Sequence, residues 1–356
     1  MHYKKWNKTK INEQLKELRA LFDKEPSSEL VYAIGSLEDL LKNDPKFYVP
    51  ERSFTQQVAK EQNLVEEFSQ FMQAISLFTA HNDISSVKLD DYCELNIPNK
   101  QLLSFVHDFF NSIDRDFARY FNRIYKERKN NLRLTKSPIQ GHNRQYSYYI
   151  KPCNYAYINI PLSETVVDFA NIVHEYAHTI SDQMFYRMKY DKYPFVELLP
   201  LLMQQIAYDK IDESFEGMED EVAKADIMNL QDIMLFSNQI KMQNDYISSR
   251  VPFTERRQFI SNFAQFSNNT RTKAEKIINC PLEEKLMYVI PYITMIELYD
   301  MYQEDPERAL FLIKEIIMAK EQENYYKYLE SLGINLNEHS KDFIKTRKNK
   351  NITEYM

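Results

Sequence analysis

Glycine and cysteine are both scarce in this chain, and each scarcity excludes a class of protein. Only four of the 356 residues are glycine, too few for the tight turns of an all-β protein or the phosphate loops of nucleotide-binding folds. The three cysteines, Cys93, Cys153 and Cys280, are widely separated and form no C-x-x-C pair. We therefore expect helix to dominate, with neither a disulfide framework nor a cysteine-based metal site.

Long apolar runs and a strong charge of one sign are also missing. No stretch approaches the roughly 18 consecutive apolar residues of a membrane span. The basic N-terminus is not followed by the apolar segment of a signal peptide. The formal net charge of −7 argues against nucleic acid as a partner. The sequence therefore predicts a cytoplasmic protein that contacts neither membrane nor nucleic acid, and it leaves the oligomeric state unknown.

The residue pattern changes near residue 137 from helical to strand-like, and this change divides the chain into two predicted regions. Residues 1–136 carry helical patterns without a chemical signature, and one long helix is expected over 99–129. Beyond them, 145–150 and 155–160 have the alternation and the aromatic content of two short strands joined by a turn. We predict a mainly α fold with one small β-sheet or hairpin, divided into an N-terminal helical region and a second region over 137–356.

Two histidines and a glutamate follow the second strand at a spacing that suits a hydrolytic metal site. Positions i and i+4 of a helix stack one turn apart, so His174 and His178 can both bind one small cation. Glu175 is turned by about 100° from His174, so its carboxylate can reach a metal-bound water without binding the metal. The pattern H-E-x-x-H therefore predicts one Zn2+ per chain, with Glu175 as a catalytic residue.

A catalytic zinc ion needs three protein ligands and one open position, so the histidines require a partner. Glu197 is favoured, because eighteen residues separate it from His178. That length allows a second helix, expected to start near 193–194, to return past the metal. A carboxylate in the apolar segment 195–203 is costly to bury unless it is paired or metal-bound. Asp182 is the alternative, but a third ligand from the same helix would strain tetrahedral geometry.

Three segments of the chain resemble the zinc oligopeptidases of the thimet oligopeptidase and oligoendopeptidase F type. Residues 155–178 are similar to that family's strand, short loop and metal helix. Residues 194–200 are similar to its Phe-Val-Glu-x-Pro segment, and residues 288–294 to its tyrosine-rich Tyr-Val-Tyr-x-Tyr-Ala-Thr-Gly segment. The resemblance extends from about residue 137 to residue 333, and the chain is much shorter than typical members.

The resemblance implies a multi-helix, zincin-like metallopeptidase of the kind that binds zinc through H-E-x-x-H and a downstream glutamate, here Glu197. It also implies that a tyrosine stabilises the oxyanion of the reaction, with Tyr292 the first choice and Tyr288 the next. Two departures stand close to these motifs, because Ala177 and Met295 occupy positions where the family has glycine.

These features predict hydrolysis of peptide bonds in short or unfolded peptides by a zinc-activated water, with Glu175 as general base. The strand 155–160 directly precedes the metal helix, and its exposed edge is expected to pair with an extended substrate backbone. Tyr155, Tyr157 and Asn159 are therefore candidate substrate-binding residues. The alternative is a non-catalytic helical peptide-binding or regulatory protein that retains a zinc site. A small amide or an aminopeptidase-type substrate is a third possibility.

Overall fold

The fold is mainly helical and contains one small β-sheet, as the sequence predicts. A computed structural model describes residues 8–22, 68–81, 97–135, 145–150, 155–184, 194–248, 282–319 and 324–336, together with positions 30, 33, 34, 37 and 322. Its elements in chain order are α1 (Lys8–Phe22), α2 (Ser69–His81), α3 (Asn99–Ile113), α4 (Arg115–Tyr125), α5 (Arg128–Asn131), β1 (Leu132–Thr135), β2 (Tyr146–Ile150), β3 (Tyr155–Pro161), α6 (Val167–Met184), α7 (Leu198–Ser214), α8 (Glu219–Ser248), α9 (Leu282–Glu304), α10 (Pro306–Met318) and α11 (Tyr325–Ser331).

The chain divides into two compact units, and each is assembled from two separate stretches. The first unit comprises Met1–Glu51 and Glu94–Met188, and the second comprises Arg52–Cys93 and Lys189–Met356. The first therefore holds the sheet and α6, whereas the second holds α2 and the helices from α7 onward. The predicted boundary at residue 137 stays a prediction.

The sheet of the first unit contains the predicted hairpin and one further strand. β2 and β3 pair antiparallel from Tyr146 opposite Asn159 to Ile150 opposite Tyr155, which confirms the two predicted strands. β1 pairs parallel with β3, and it was not predicted, because four residues directly after a helix offer too short a pattern for recognition. The strand order β1-β3-β2 makes β3 the central strand. The predicted exposed edge of β3 is therefore wrong.

The helix predicted over residues 99–129 is also wrong as a single element. Asp114 breaks it with an extended backbone at φ −155° and ψ 142°. Its side chain accepts hydrogen bonds from the backbone N–H groups of Asp116 and Phe117, and it thereby caps α4. An aspartate at this position satisfies two backbone donors that would otherwise lack a partner. The chain therefore turns at Asp114, and α3 and α4 pack against each other and against α6.

An aromatic cluster forms the core behind α6. Phe110 and Phe121 stack with ring centroids 4.7 Å apart. The ring of Tyr176, a residue of α6, meets Phe121 edge-on at 5.0 Å. Tyr125 completes the cluster by stacking on Phe121 at 4.8 Å. Buried aromatic side chains contribute large apolar areas and prefer such offset and edge-on contacts, so this cluster holds α6 against α3 and α4.

The second unit is built around α9, which packs against α2, α7, α8 and α10. The second predicted helix, α7, begins at Leu198, four residues later than expected, because residues 194–197 form a turn. Pro200 falls in the first turn of α7, where backbone N–H groups have no partner within the helix, so its missing N–H costs no helical hydrogen bond. Among the described helices, none combines the length and the apolar composition that a membrane crossing would need.

Candidate metal centre

The two predicted histidine ligands lie on α6 one helical turn apart. Their imidazole rings have centroids 4.9 Å apart and planes inclined at 76°. His174 is 9% exposed, and His178 is half-buried. The opposite side of α6 carries Tyr176, which faces the aromatic core. The helix period therefore places the two histidines on one side of α6 and Tyr176 on the other.

Glu175, the predicted general base, is buried at 3% exposure. It stands between His174 and the buried Tyr176 in the sequence of α6, and the helical period turns it away from the line through both histidines. A poorly solvated carboxylate interacts strongly with nearby protons and charges. Its role as a base stays a prediction.

The start of α6 is held by a carboxylate. Asp168, in the first turn of the helix, accepts hydrogen bonds from Ser163 N at 2.8 Å, from Ser163 Oγ at 2.8 Å and from Glu164 N at 2.9 Å. These bonds join the helix to the loop that follows β3. Asp168 is not among the predicted site residues, although an acidic residue in a first turn is a recognisable signal of N-terminal helix stabilisation.

Glu197 ends the turn before α7 and serves as the backbone cap of that helix. Its carbonyl oxygen accepts a hydrogen bond from Leu201 N at 2.9 Å, whereas its carboxylate makes no capping bond. Phe195, two residues earlier, is buried and meets Tyr325 edge-on at 5.7 Å and Phe71 at 6.5 Å. The buried Phe195 ring therefore anchors the turn, and the Glu197 side chain that follows it is half-buried.

The three predicted ligands form a group that could hold a metal ion. One donor atom from each of His174, His178 and Glu197 lies within 4.8 Å of the others, and no other such group of three His, Cys, Asp or Glu side chains occurs among the described residues. Zinc bonds of about 2.0–2.2 Å in tetrahedral geometry require neighbouring donors about 3.3–3.6 Å apart. Two imidazole nitrogens and one carboxylate oxygen are a donor set that suits zinc, so these residues fit the predicted ion.

The two candidate tyrosines on α9 differ sharply in exposure. Tyr292 is buried at 3% exposure, and its ring meets Phe78 of α2 edge-on at 6.2 Å. Tyr288 is 45% exposed, with its ring 5.9 Å from that of Phe236 on α8. The assignment of either tyrosine to the oxyanion stays a prediction.

The three candidate substrate-binding residues lie along the central strand of the sheet. Tyr155 pairs with Ile150 of β2, Tyr157 with Tyr148, and Asn159 with Tyr146. Tyr157 and Asn159 are both buried. Both edges of β3 are thus paired, one with β1 along 158–161 and the other with β2 along 155–159. Substrate binding by these three residues stays a prediction, but β3 does not have the free edge on which that prediction depended.

Sequence comparisons assign no family to this chain, but three solved structures have the same fold. Neither protein-family models nor curated proteins match the sequence. PZ peptidase A with an inhibitor is 11% identical, with a TM-score of 0.54 over 98% of this chain and 68% of that one. A proposed oligoendopeptidase F is 12% identical, with a TM-score of 0.54 over 96% and 67%. A proposed peptidase from Chlamydophila abortus is 11% identical, with a TM-score of 0.53 over 97% and 63%. The chain spans about two thirds of the length of these proteins.

Proposed function

We propose that this protein is a zinc-dependent metallopeptidase of the oligopeptidase type, which hydrolyses peptide bonds of short or unfolded peptides. The observation that carries the proposal is the grouping of the His174, His178 and Glu197 donor atoms. It gains weight from the fold, because the three proteins with the same fold are described as peptidases.

The proposed ligands would leave part of the zinc coordination sphere open, as catalytic sites require. When bound there, zinc supplies Lewis acidity and the means to lower the pKa of water toward about 7. Glu175 takes a proton from the attacking water as its oxygen adds to the scissile carbonyl carbon. Glu175 then passes that proton to the amine nitrogen as the C–N bond breaks, which yields a carboxylic acid and an amine.

A hydrogen-bond donor is needed where negative charge develops on the carbonyl oxygen. Tyr292 is the first candidate and Tyr288 the second. Replacing each by phenylalanine separates them. Loss of the hydroxyl that stabilises the oxyanion should lower kcat by about 10²–10³-fold with little change in KM. The Phe78 contact of Tyr292 involves the ring, so Tyr292→Phe should preserve the packing.

Peptide backbone is a suitable ligand for the sheet beside α6, but the edge strand differs from the expected one. β2 pairs with β3 on one side only, and no other described strand pairs with it. An extended peptide that adds to β2 would satisfy backbone groups without reading side chains, which favours broad sequence tolerance. Peptides with N-methylated backbones should accordingly be poorer substrates than their unmethylated counterparts.

The proposal is tested with the purified full chain, its zinc content and a diverse library of quenched fluorescent peptides. We expect about one zinc per chain and cleavage that is lost with a chelator and restored by zinc. A Glu175→Gln protein purified in parallel controls for contaminating peptidases. Zinc-loaded protein that cleaves nothing in a chelator-sensitive manner would instead support a non-catalytic peptide-binding protein. Cleavage restricted to aminoacyl amides would identify an aminopeptidase-type enzyme.

A further inference from the structure

The loop between β3 and α6 is held by more hydrogen bonds than a simple connection requires. Both carboxylate oxygens of Asp168 are used, because Oδ1 accepts from Ser163 N and Oγ, and Oδ2 accepts from Glu164 N. The Ser163 hydroxyl also lies 2.7 Å from Thr165 Oγ1. Asp168 is itself buried at 3% exposure. Its charge is therefore withdrawn from water and depends on these donors.

The same loop contains a backbone conformation that a non-glycine residue rarely adopts. Glu164 has φ 57°, which lies in the left-handed region and is strained for a residue that carries a side chain. The Glu164 N–H donates to Asp168 in this conformation. On the other side of the loop, Leu162 N donates to Thr135 O of β1 at 2.8 Å. The carboxylate thus ties a strained loop to the helix, and the loop is tied to the sheet.

This tie constrains the rotation of α6 against the sheet. His174 follows Asp168 by six residues, which corresponds to about 9 Å along the helix axis. A rotation equivalent to one residue would turn the imidazoles by about 100°. α6 also contacts β2 and β3 of the sheet and packs against α3 and α4. Three hydrogen bonds of fixed direction add to that packing a constraint at the N-terminal end of the helix.

We propose that Asp168 is a positioning residue for the metal centre, an inference that rests on the proposed function. Through the Ser163 and Glu164 donors, it holds α6 in the rotation and axial position at which His174 and His178 present their nitrogens to the ion. Asp168 touches neither the ion nor the substrate. Its replacement should therefore change metal affinity and turnover more than its effect on stability explains.

The chain offers graded variants and a matched control. Asp168→Asn keeps the shape of the side chain but presents an NH2 group to one of its former donors. Ser163→Ala removes one of the three hydrogen bonds and leaves both backbone donors in place. Asp114→Asn is the control, because Asp114 also accepts two backbone N–H bonds at a helix start in the same unit, on a helix without ligands.

The test measures the melting temperature of each variant. The zinc dissociation constant, by competition with a chelator, and kcat and KM are then measured at a temperature well below it. We expect Asp168→Asn to raise the zinc dissociation constant by about tenfold or more and to lower kcat, with KM nearly unchanged. Ser163→Ala should fall between this variant and the wild type, and it serves alone if Asp168→Asn does not fold. Asp114→Asn should keep its zinc affinity and kcat and change little in melting temperature, because asparagine caps a helix about as well as aspartate.

Two outcomes would overturn the inference, and they are distinguishable. If Asp168→Asn and Ser163→Ala bind zinc and turn over substrate as Asp114→Asn does, the Asp168 bonds serve stability alone, and the proposed function survives. If the wild-type protein binds no zinc, the proposed function fails, and the positioning inference fails with it.

Discussion

The imidazole rings of His174 and His178 lie 4.9 Å apart between centroids, one turn apart on the same helix. If both bind one zinc ion, removing either leaves two ligands, which is too few for a stable site. We predict that His174→Ala and His178→Ala each reduce bound zinc well below one per chain and abolish cleavage. His107→Ala is the control, because His107 lies on α3 with its side chain substantially exposed and contacts Asp108. A stoichiometric zinc content in both α6 variants would contradict the site.

Replacing Glu175 by glutamine should separate metal binding from catalysis. The amide has nearly the same shape but cannot accept a proton at neutral pH, and general acid–base catalysis typically contributes about 10²–10⁴-fold to the rate. We predict that the variant retains one zinc per chain and loses kcat by that factor. Elemental analysis and steady-state kinetics check both halves. An active Glu175→Gln enzyme would refute its role as the base.

The third ligand can be decided by comparing two carboxylates. Glu197→Gln should weaken zinc binding by at least about tenfold, because a neutral amide is a poorer ligand than a carboxylate. Asp182→Asn should leave zinc affinity nearly unchanged, since only Glu197 groups with both histidines among the described residues. Chelator competition measures both. The reverse order of effects would transfer the third-ligand assignment to Asp182.

Tyr176 has a fully buried ring, and its hydroxyl has no hydrogen-bond partner among the described residues. We predict that the free energy of unfolding of Tyr176→Phe exceeds that of the wild type by up to about 1 kcal/mol, because an unsatisfied hydroxyl is removed. Tyr125→Phe should lose about 1 kcal/mol, since the Tyr125 hydroxyl donates to Leu103 O at 3.0 Å. Urea unfolding near neutral pH tests the pair. A clear destabilisation by Tyr176→Phe would reveal a partner for its hydroxyl.

The same substitution should alter the response to alkaline pH. Burial raises the pKa of Tyr176, so the folded protein keeps this proton while an unfolded chain releases it near pH 10. The folded state then binds more protons than the unfolded state, and stability falls as pH rises above about 10. Tyr176→Phe removes this contribution, so its free energy of unfolding should decline less steeply there. Equal slopes for both proteins would contradict the prediction.

Short-range patterns were enough to predict much of the fold and of the site. The i, i+4 spacing predicted that His174 and His178 share one side of a helix, because helical geometry is local. Alternation and aromatic content predicted β2 and β3. The break at Asp114 was missed, since the amphipathic pattern continues across it and only the capping bonds reveal the turn.

Contacts between distant parts of the chain could not be predicted in this way. Phe195 is anchored by Phe71 and Tyr325, residues far from it in the sequence, so nothing local indicates that the turn before Glu197 is held. The exposure of Tyr288 and the burial of Tyr292 depend equally on their neighbours on α8 and α2. The resemblance ranked Tyr292 before Tyr288, but nothing in the sequence indicated this difference in exposure.

The sequence by itself determined which side chains can act as ligands and base, because residue type and helical spacing decide the available chemistry. The tertiary structure alone decided that β3 is the central strand, with β2 at an edge of the sheet. It also decided that the Asp168 carboxylate joins the β3 loop to α6. The reason is physical: strand pairing, burial and hydrogen bonds between loops depend on which segments meet in space, and a local pattern carries no information about that.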